Sequence, residues 1–85
     1  MKPVLSPETV PGGVHVSPNP FGQDGTWISA QEAGLLEIFD LNGKRLWSGK
    51  VPKSEAFHLD SRLFPHAGVY FWHLGSRVGK LVFAP

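Results

Sequence analysis

The sequence predicts an all-β fold, an antiparallel β-sandwich of about seven short strands. From Val14 onward, short strand-like runs alternate with turn clusters at a spacing of roughly ten residues. The dipeptide Asn42–Gly43 separates two apolar runs, and Asn-Gly in that position is the strongest short-range signal of a β-hairpin. No segment has a convincing helical period. The chain of 85 residues is long enough for one domain.

The strands are assigned to these runs in chain order. The predicted strands are residues 14–17, 26–29, 35–41, 44–49, 56–59, 69–74 and 79–83. The sixth run alternates two sets of side chains, Tyr70, Trp72 and Leu74 against Val69, Phe71 and His73. Successive side chains of a strand point to opposite faces, so we expect the first set to face the core.

Residues 1–13 differ in composition from the rest of the chain. Pro3, Pro7 and Pro11 recur at every fourth position, with small and polar residues between them. Such a stretch favours extended, poorly packed backbone, which predicts a linker or arm followed by a folded domain over residues 14–85. An edge strand through Val4 and Leu5 remains the alternative.

The hairpin turn has two candidate geometries. A two-residue turn at Asn42–Gly43 would place Ile38 opposite Trp47. A type I turn followed by a left-handed Gly43 instead puts Asp40 at the first turn position and Gly43 at the fourth, where these residues are favoured. We therefore predict the second, bulged turn.

The bulged turn also fixes a predicted register. The expected cross-strand pairs are Ile38 with Leu46, Phe39 with Arg45 and Glu37 with Trp47. This register gathers Leu36, Ile38 and Leu46 on one core face and leaves Glu37 and Arg45 in water. A slip of one residue would send every side chain to the other face, so the agreement discriminates between the two registers.

Composition narrows the classes of function. The net charge is +1 and the basic residues do not cluster, which disfavours a protein that binds nucleic acid through its phosphates. The chain has no cysteine, which removes disulfides and thiol chemistry. It contains no run of about 18 apolar residues that could span a membrane. No apolar signal region follows Met1, so any export signal is expected far upstream in a longer protein.

We expect no catalysis, no cofactor and no metal site. The four histidines, His15, His58, His66 and His73, lack the paired spacing of a zinc site. His58, Asp60 and Ser61 are the residue types of a catalytic triad, but side chains so close along one strand diverge. No glycine-rich phosphate loop leads from a strand into a helix.

The alternation of the strands predicts an exposed aromatic patch. Its members are Phe39, Trp47, Phe71 and His73. Exposed aromatic clusters often mark surfaces for partners. A neighbouring domain, a loop or the arm could cover the patch instead.

Four motifs in order give the chain a family resemblance. They are Pro-Asn-Pro-Phe at 18–21, Glu-Ile-Phe-Asp-Leu-Asn-Gly at 37–43, Ala-Gly-Val-Tyr-Phe at 67–71 and Gly-Lys-Leu-Val at 79–82. Together they resemble the C-terminal sorting domain (type A, the Por secretion tail) of type IX secretion cargo in Bacteroidetes. The resemblance covers residues 14–83. Residues 64–67 lengthen a link that is tighter in the family, and residues 83–85 follow where the family often ends on a basic residue.

The resemblance implies an immunoglobulin-like sandwich without catalytic activity. Such a domain directs its upstream cargo from the periplasm through an outer-membrane translocon to the cell surface or beyond. A sortase-like surface peptidase then usually removes it, and in some cases the cargo is joined to a surface lipopolysaccharide. Carried over here, the cleavage site would lie in or beside residues 1–13.

The motif positions are the recognition residues that the resemblance implies. They are Pro18, Asn19, Pro20, Asp40, Asn42, Gly43, Gly68, Tyr70, Lys80, Leu81 and Val82. Most also have structural explanations. The prolines end a strand, Asn19 can bond its own loop backbone, and the Tyr70 ring is expected inside with its hydroxyl near the rim.

Two alternatives remain open. Pro-Asn-Pro-Phe also resembles the immunoglobulin-like domains of flagellar hook-capping proteins, although their Trp-Asp-Gly segment is missing. More broadly, the chain could be an accessory module of a surface enzyme or adhesin that binds carbohydrate or a neighbouring domain. Trp27, Trp47 and Trp72 are the candidates for stacking on sugars, and the alternation places Trp72 inward. An edge strand could also join two copies into a homodimer.

Overall fold

The computed structural model describes residues 9–10 and 13–85, and its strands form two layers. In chain order the strands are β1 (Thr9–Val10), β2 (Val14–Ser17), β3 (Thr26–Ser29), β4 (Gly34–Phe39), β5 (Arg45–Val51), β6 (Phe57–Leu59), β7 (Gly68–Leu74) and β8 (Arg77–Phe83). A single 3₁₀ turn, Ser61–Leu63, links β6 to β7. No helix in the described residues is long and apolar enough to cross a membrane.

The strands form two antiparallel sheets. Sheet I has the order β1-β2-β3-β6 and sheet II the order β5-β4-β7-β8. Apart from the two-residue β1, this is a sandwich of three strands on four. In immunoglobulin lettering, β2, β3 and β6 are strands A, B and E, while β5, β4, β7 and β8 are C′, C, F and G. The predicted immunoglobulin-like sandwich of about seven strands is therefore confirmed.

The core fills the space between the two sheets. Its fully buried side chains come from both sheets and include Val14, Val16, Ile28, Leu36, Ile38, Leu59, Trp72, Leu74 and Leu81. Tyr70, Trp72 and Leu74 face inward, as the alternation predicts. Among the residues whose burial is described, Thr26 is the buried polar one, and its hydroxyl donates to the Pro18 carbonyl at 2.6 Å, which satisfies it.

The predicted bulged turn is confirmed by its hydrogen bonds. The Gly43 N–H donates to the Asp40 carbonyl at 3.0 Å, and Gly43 has a φ of +85°. The Asp40 carboxylate accepts from the N–H groups of Asn42 and Lys44, each at 2.9 Å. The turn therefore satisfies its polar groups internally, as its residue types require.

The predicted register was right for one pair and wrong beyond it. Phe39 lies opposite Arg45, but Ile38 lies opposite Trp47 and not Leu46, because a second irregularity interrupts the ladder there. Glu37 accordingly lies opposite Ser48. An extra residue in one strand shifts every later pair by one. The turn residues predict the bulge at Gly43, but they carry no signal for the second bulge in β5.

The extra residue reverses the predicted direction of Trp47. Its ring packs against the core and lies 5.6 Å from the Phe57 ring of the opposing sheet. Trp47 is therefore removed from the predicted outward patch. Leu46 is half-buried against the same core, so both side chains contribute to it.

Part of the predicted arm belongs to the sheet. Thr9–Val10 pair with His15 and Val14 as an edge strand of sheet I. Gly13 lies in the turn between β1 and β2 with a φ of +79°. The remaining predictions for the arm, including an edge strand through Val4 and Leu5, lie outside the described residues.

Replacing Gly79 should test the packing of the buried indole. Gly79 pairs with Trp72 across β7 and β8, and a Cβ at Gly79 would overlap the Trp72 ring. Since Trp72 is buried and cannot move aside, we expect Gly79→Ala to lower the free energy of unfolding by about 1–3 kcal/mol in chemical denaturation.

Gly22→Ala is the matched control. The atom nearest to a Cβ at Gly22 would be the Ala84 carbonyl oxygen, at 3.8 Å. We expect this variant to stay within about 0.5 kcal/mol of the parent chain. Equal stability of the two variants would contradict the packing described for Trp72.

Candidate functional site

The four sequence motifs converge on one end of the sandwich. Because neighbouring strands of sheet II are antiparallel, the end of β4, the start of β7 and the end of β8 lie side by side. Phe39 pairs with Phe71, and Gly68 pairs with Phe83. Residues 18–21 follow β2 and reach the end of β8 from the other sheet. We call this region, formed by residues 18–21, 40–43, 67–71 and 79–83, the motif end.

The Asn19 side chain joins the two sheets at the motif end. Its Nδ2–H donates to the Lys80 carbonyl at 2.8 Å, and its Oδ1 accepts from the Val82 N–H at 2.9 Å. One amide thus pairs with the outer edge of β8 as a neighbouring strand would. The expectation that Asn19 bonds its own loop was wrong, since its partners lie more than 60 residues away.

The backbone of Phe21 continues this contact along β8. Its N–H donates to the Val82 carbonyl at 2.9 Å, and its carbonyl accepts from the Ala84 N–H at 2.8 Å. Phe21 and Phe83 form a parallel bridge. Pro18 and Pro20 follow cis peptide bonds and are exposed. Together Asn19 and Phe21 cover the C-terminal half of the β8 edge.

An aromatic cluster fills the interior of the motif end. Phe21 contacts Phe64 edge-on at 5.0 Å between ring centroids and stacks on Phe83 at 5.3 Å. Phe64 also meets Tyr70 edge-on at 4.9 Å. Edge-on and offset rings are the favoured arrangements of aromatic pairs. The sequence pattern does not predict Phe64 as a core residue, because Phe64 follows a 3₁₀ turn and lies outside every predicted strand.

Tyr70 closes the loop before β7. Its ring is buried, and its hydroxyl donates to the His66 carbonyl and accepts from the His66 N–H. A hydroxyl bonded to the backbone a few residues upstream is the tyrosine corner of immunoglobulin-like domains. The expected position of Tyr70, with its ring inside and its hydroxyl bonded at the rim, is confirmed. Gly68 has a φ of +141°, which a side chain would strain.

The motif residues differ in how far a partner could reach them. Leu81 is fully buried, so in the folded domain it serves the core. Lys80, Asn42 and Pro20 are exposed, and Val82 is half-buried on the outer face of β8. A shallow cavity of about 230 Å³ lies between the Asp40–Gly43 turn and the start of β7.

Three of the four predicted patch residues lie on one sheet face. Phe39 is opposite Phe71 on the outer face of sheet II, and the Phe39 and His73 rings are 4.6 Å apart. All three side chains are half-buried. Leu35 and Val78 extend the same face, with 49% and 60% of their surface exposed. The alternation of β4 and β8 could have predicted both.

The residues that resemble a triad do not converge. His58 Nε2 bonds the Asp24 carbonyl at 2.8 Å, and the Ser61 hydroxyl donates to the Gln23 carbonyl at 2.8 Å. Asp60 bonds Arg62 instead. The side-chain and backbone hydrogen bonds from Arg62 lower the pKa of the Asp60 carboxyl from 3.8 to about 2. In the described part of the chain, no group of three His, Cys, Asp or Glu residues could hold a metal ion.

Comparison with known proteins identifies no relative of this chain. No family model matches the chain, and neither the curated proteins nor the solved structures contain a significant match.

Asn19→Ala should loosen the end of β8. The substitution removes both hydrogen bonds of the amide, and water can replace them only in part because Val82 is half-buried. We expect a loss of about 1–2 kcal/mol in the free energy of unfolding and faster hydrogen exchange at the Val82 amide.

Asn42→Ala is the matched control, because the Asn42 side chain is exposed at the turn. Its stability should change by less than about 0.5 kcal/mol. If Asn19→Ala kept both the parent stability and the protection of the Val82 amide, the Asn19 contact would not hold the strand.

Proposed function

We propose that this chain is a non-catalytic C-terminal sorting domain that directs an upstream cargo through the type IX outer-membrane translocon. Its destination is the cell surface or the medium, where a sortase-like peptidase removes it or anchors the cargo. The observation that carries the proposal is the convergence of all four motifs on one end of the sandwich. The strand order brings three of the motifs together, and the Asn19 amide joins the fourth to them.

The geometry at the motif end supports recognition rather than chemistry. The motif residues are held by backbone hydrogen bonds and aromatic packing, while Lys80, Asn42 and Pro20 remain exposed. The groups that could act in catalysis have separate partners. A rigid surface of this kind suits a sorting signal that a translocon recognises as a folded domain.

A fused reporter tests the proposal. The full chain of 85 residues is placed behind a signal peptide and a fluorescent protein in a host with a type IX system. We expect fluorescence at the cell surface or in the medium. A reporter that stays in the periplasm would contradict the proposal.

Point variants identify the signal more sharply than truncation. Deleting residues 80–85 would remove Leu81 and Phe83 from the core, so it would confound unfolding with loss of recognition. Lys80→Ala removes an exposed side chain of the motif end, and Lys53→Ala removes an exposed lysine elsewhere. We expect Lys80→Ala to reduce delivery and Lys53→Ala to leave it unchanged.

One observation favours the second candidate, an accessory carbohydrate-binding module. Trp27 has 49% of its surface exposed on the outer face of sheet I, whereas Trp47 packs on the core and Trp72 is buried. Its ring lies 4.7 Å from that of His58. Exposed aromatic faces stack on apolar faces of ligands, and Trp offers the largest such face.

Affinity electrophoresis tests this candidate. If the domain binds sugar, soluble xylan or hydroxyethyl cellulose in the gel should slow the parent chain, and Trp27→Ala should remove the retardation. Phe71→Ala serves as the control on the opposite face. Equal mobility with and without polysaccharide would exclude these two ligands and leave the sorting proposal untouched.

A further inference from the structure

We infer that the outer face of sheet II is a docking surface for an acidic amphipathic segment of a partner protein. The face is formed by the outward side chains of β4, β5, β7 and β8. Its apolar part comprises Leu35, Phe39, Val69, Phe71, Val78 and Val82, and the His73 imidazole lies beside Glu37 on the same face. The inference holds for a sorting domain and for an accessory module alike.

Strand β7 carries apolar side chains on both of its faces from Val69 to Trp72. Its inward side chains fill the core, and its outward ones are Val69, Phe71 and His73. An antiparallel strand with one face in water normally alternates apolar and polar residues, whereas a strand covered on both faces is apolar throughout. In the described structure only the inner face of β7 is covered.

The cationic side chains flank this apolar surface in register, whereas Glu37 lies within it between Leu35 and Phe39 on β4. One row across the sheet reads Arg45, Phe39, Phe71 and Lys80, so a cation stands at each side of two adjacent aromatic rings. Lys50 lies beside Leu35 in a further row. The arrangement suits an apolar stripe seated on the rings with carboxylates on both sides.

The excess of positive charge on the face favours an acidic partner. Arg45, Lys50 and Lys80 are opposed by one carboxylate, Glu37, which bonds Arg45 at 2.9 Å. Among the described residues, no carboxylate lies within ion-pair distance of Lys50 or Lys80. Two copies placed face to face would bring like charges together, which is unfavourable. An acidic partner would be attracted instead.

The edges of the sheets are less suited to binding than this face. Residues 19–21 cover the end of β8, while β5 carries a bulge and the cations Arg45 and Lys50. Strands β1 and β6 have two and three residues. Short, bulged, charged or covered edges are the devices by which proteins prevent strand pairing.

The size of the face predicts a transient complex. Four strands of six or seven residues, about 4.8 Å apart, present roughly 14 by 20 Å between backbone positions. That area is well below the roughly 800 Å² per partner of a standard stable interface. We therefore expect a dissociation constant on the order of micromolar or weaker.

Titration of the ¹⁵N-labelled full chain tests the inference. The probe is a synthetic amphipathic peptide with leucine on one side and glutamate on the other. We expect amide shifts around Phe39, Phe71 and Lys80, with no shift around Trp27. The same peptide with lysine in place of glutamate should not bind, and raising the salt concentration should weaken binding.

Two pairs of variants complete the test. Phe71→Thr should abolish binding, whereas Trp27→Thr, on the outer face of the other sheet, should retain it. Lys80→Glu should weaken binding roughly five- to tenfold, while Lys53→Glu changes the net charge equally and should have little effect. Circular dichroism of each variant confirms that it is folded.

Three outcomes would overturn the inference. They are no binding of the glutamate peptide, equal binding of the lysine peptide, and shifts confined to a strand edge. Sedimentation velocity measures self-association. If the parent chain self-associates and Phe71→Thr does not, the face binds a second copy of this chain instead. None of these results depends on delivery of the reporter, so failure of the sorting proposal is detected separately.

Discussion

The amide of Asn19 is the contact on which the arrangement of this small sandwich depends. It supplies a donor and an acceptor to the edge of β8, and Phe21 extends the same contact through its backbone. This junction ties the end of sheet I to the last strand of sheet II. It also holds Phe21 over Phe64 and Phe83, so the aromatic cluster and the strand edge are stabilised together. A domain of this size buries a limited core, so about 1–2 kcal/mol from one junction is a sizeable part of its free energy of unfolding.

Both faces of sheet II carry large apolar side chains. The inner face supplies Tyr70, Trp72 and Leu74 to the core, while the outer face presents aromatic and aliphatic side chains bordered by cations. The outer face overlaps the motif end at Val69, Phe71, Lys80 and Val82. Recognition at the motif end and docking on the outer face could therefore act on adjacent parts of one partner.

Several residues of the four sequence motifs have structural roles in the fold. Asp40 and Gly43 make a turn, Tyr70 makes the tyrosine corner, and Leu81 fills the core. Each would be retained for stability even without a partner. Their meeting at one end, with exposed Lys80 and Pro20 among them, is what gives the sorting proposal its support beyond sequence.

The sequence by itself determined the elements whose partners are local. The Asp40–Gly43 turn follows from side-chain and glycine preferences within four residues, and alternation correctly placed Leu36, Ile38 and Trp72 inside. Only the tertiary structure decided the partner of Asn19 and the direction of Trp47. The first depends on a strand more than 60 residues away, and the second on a bulge that brings the indole against Phe57 of the other sheet. Both are settled by packing between sheets, which local preferences do not encode.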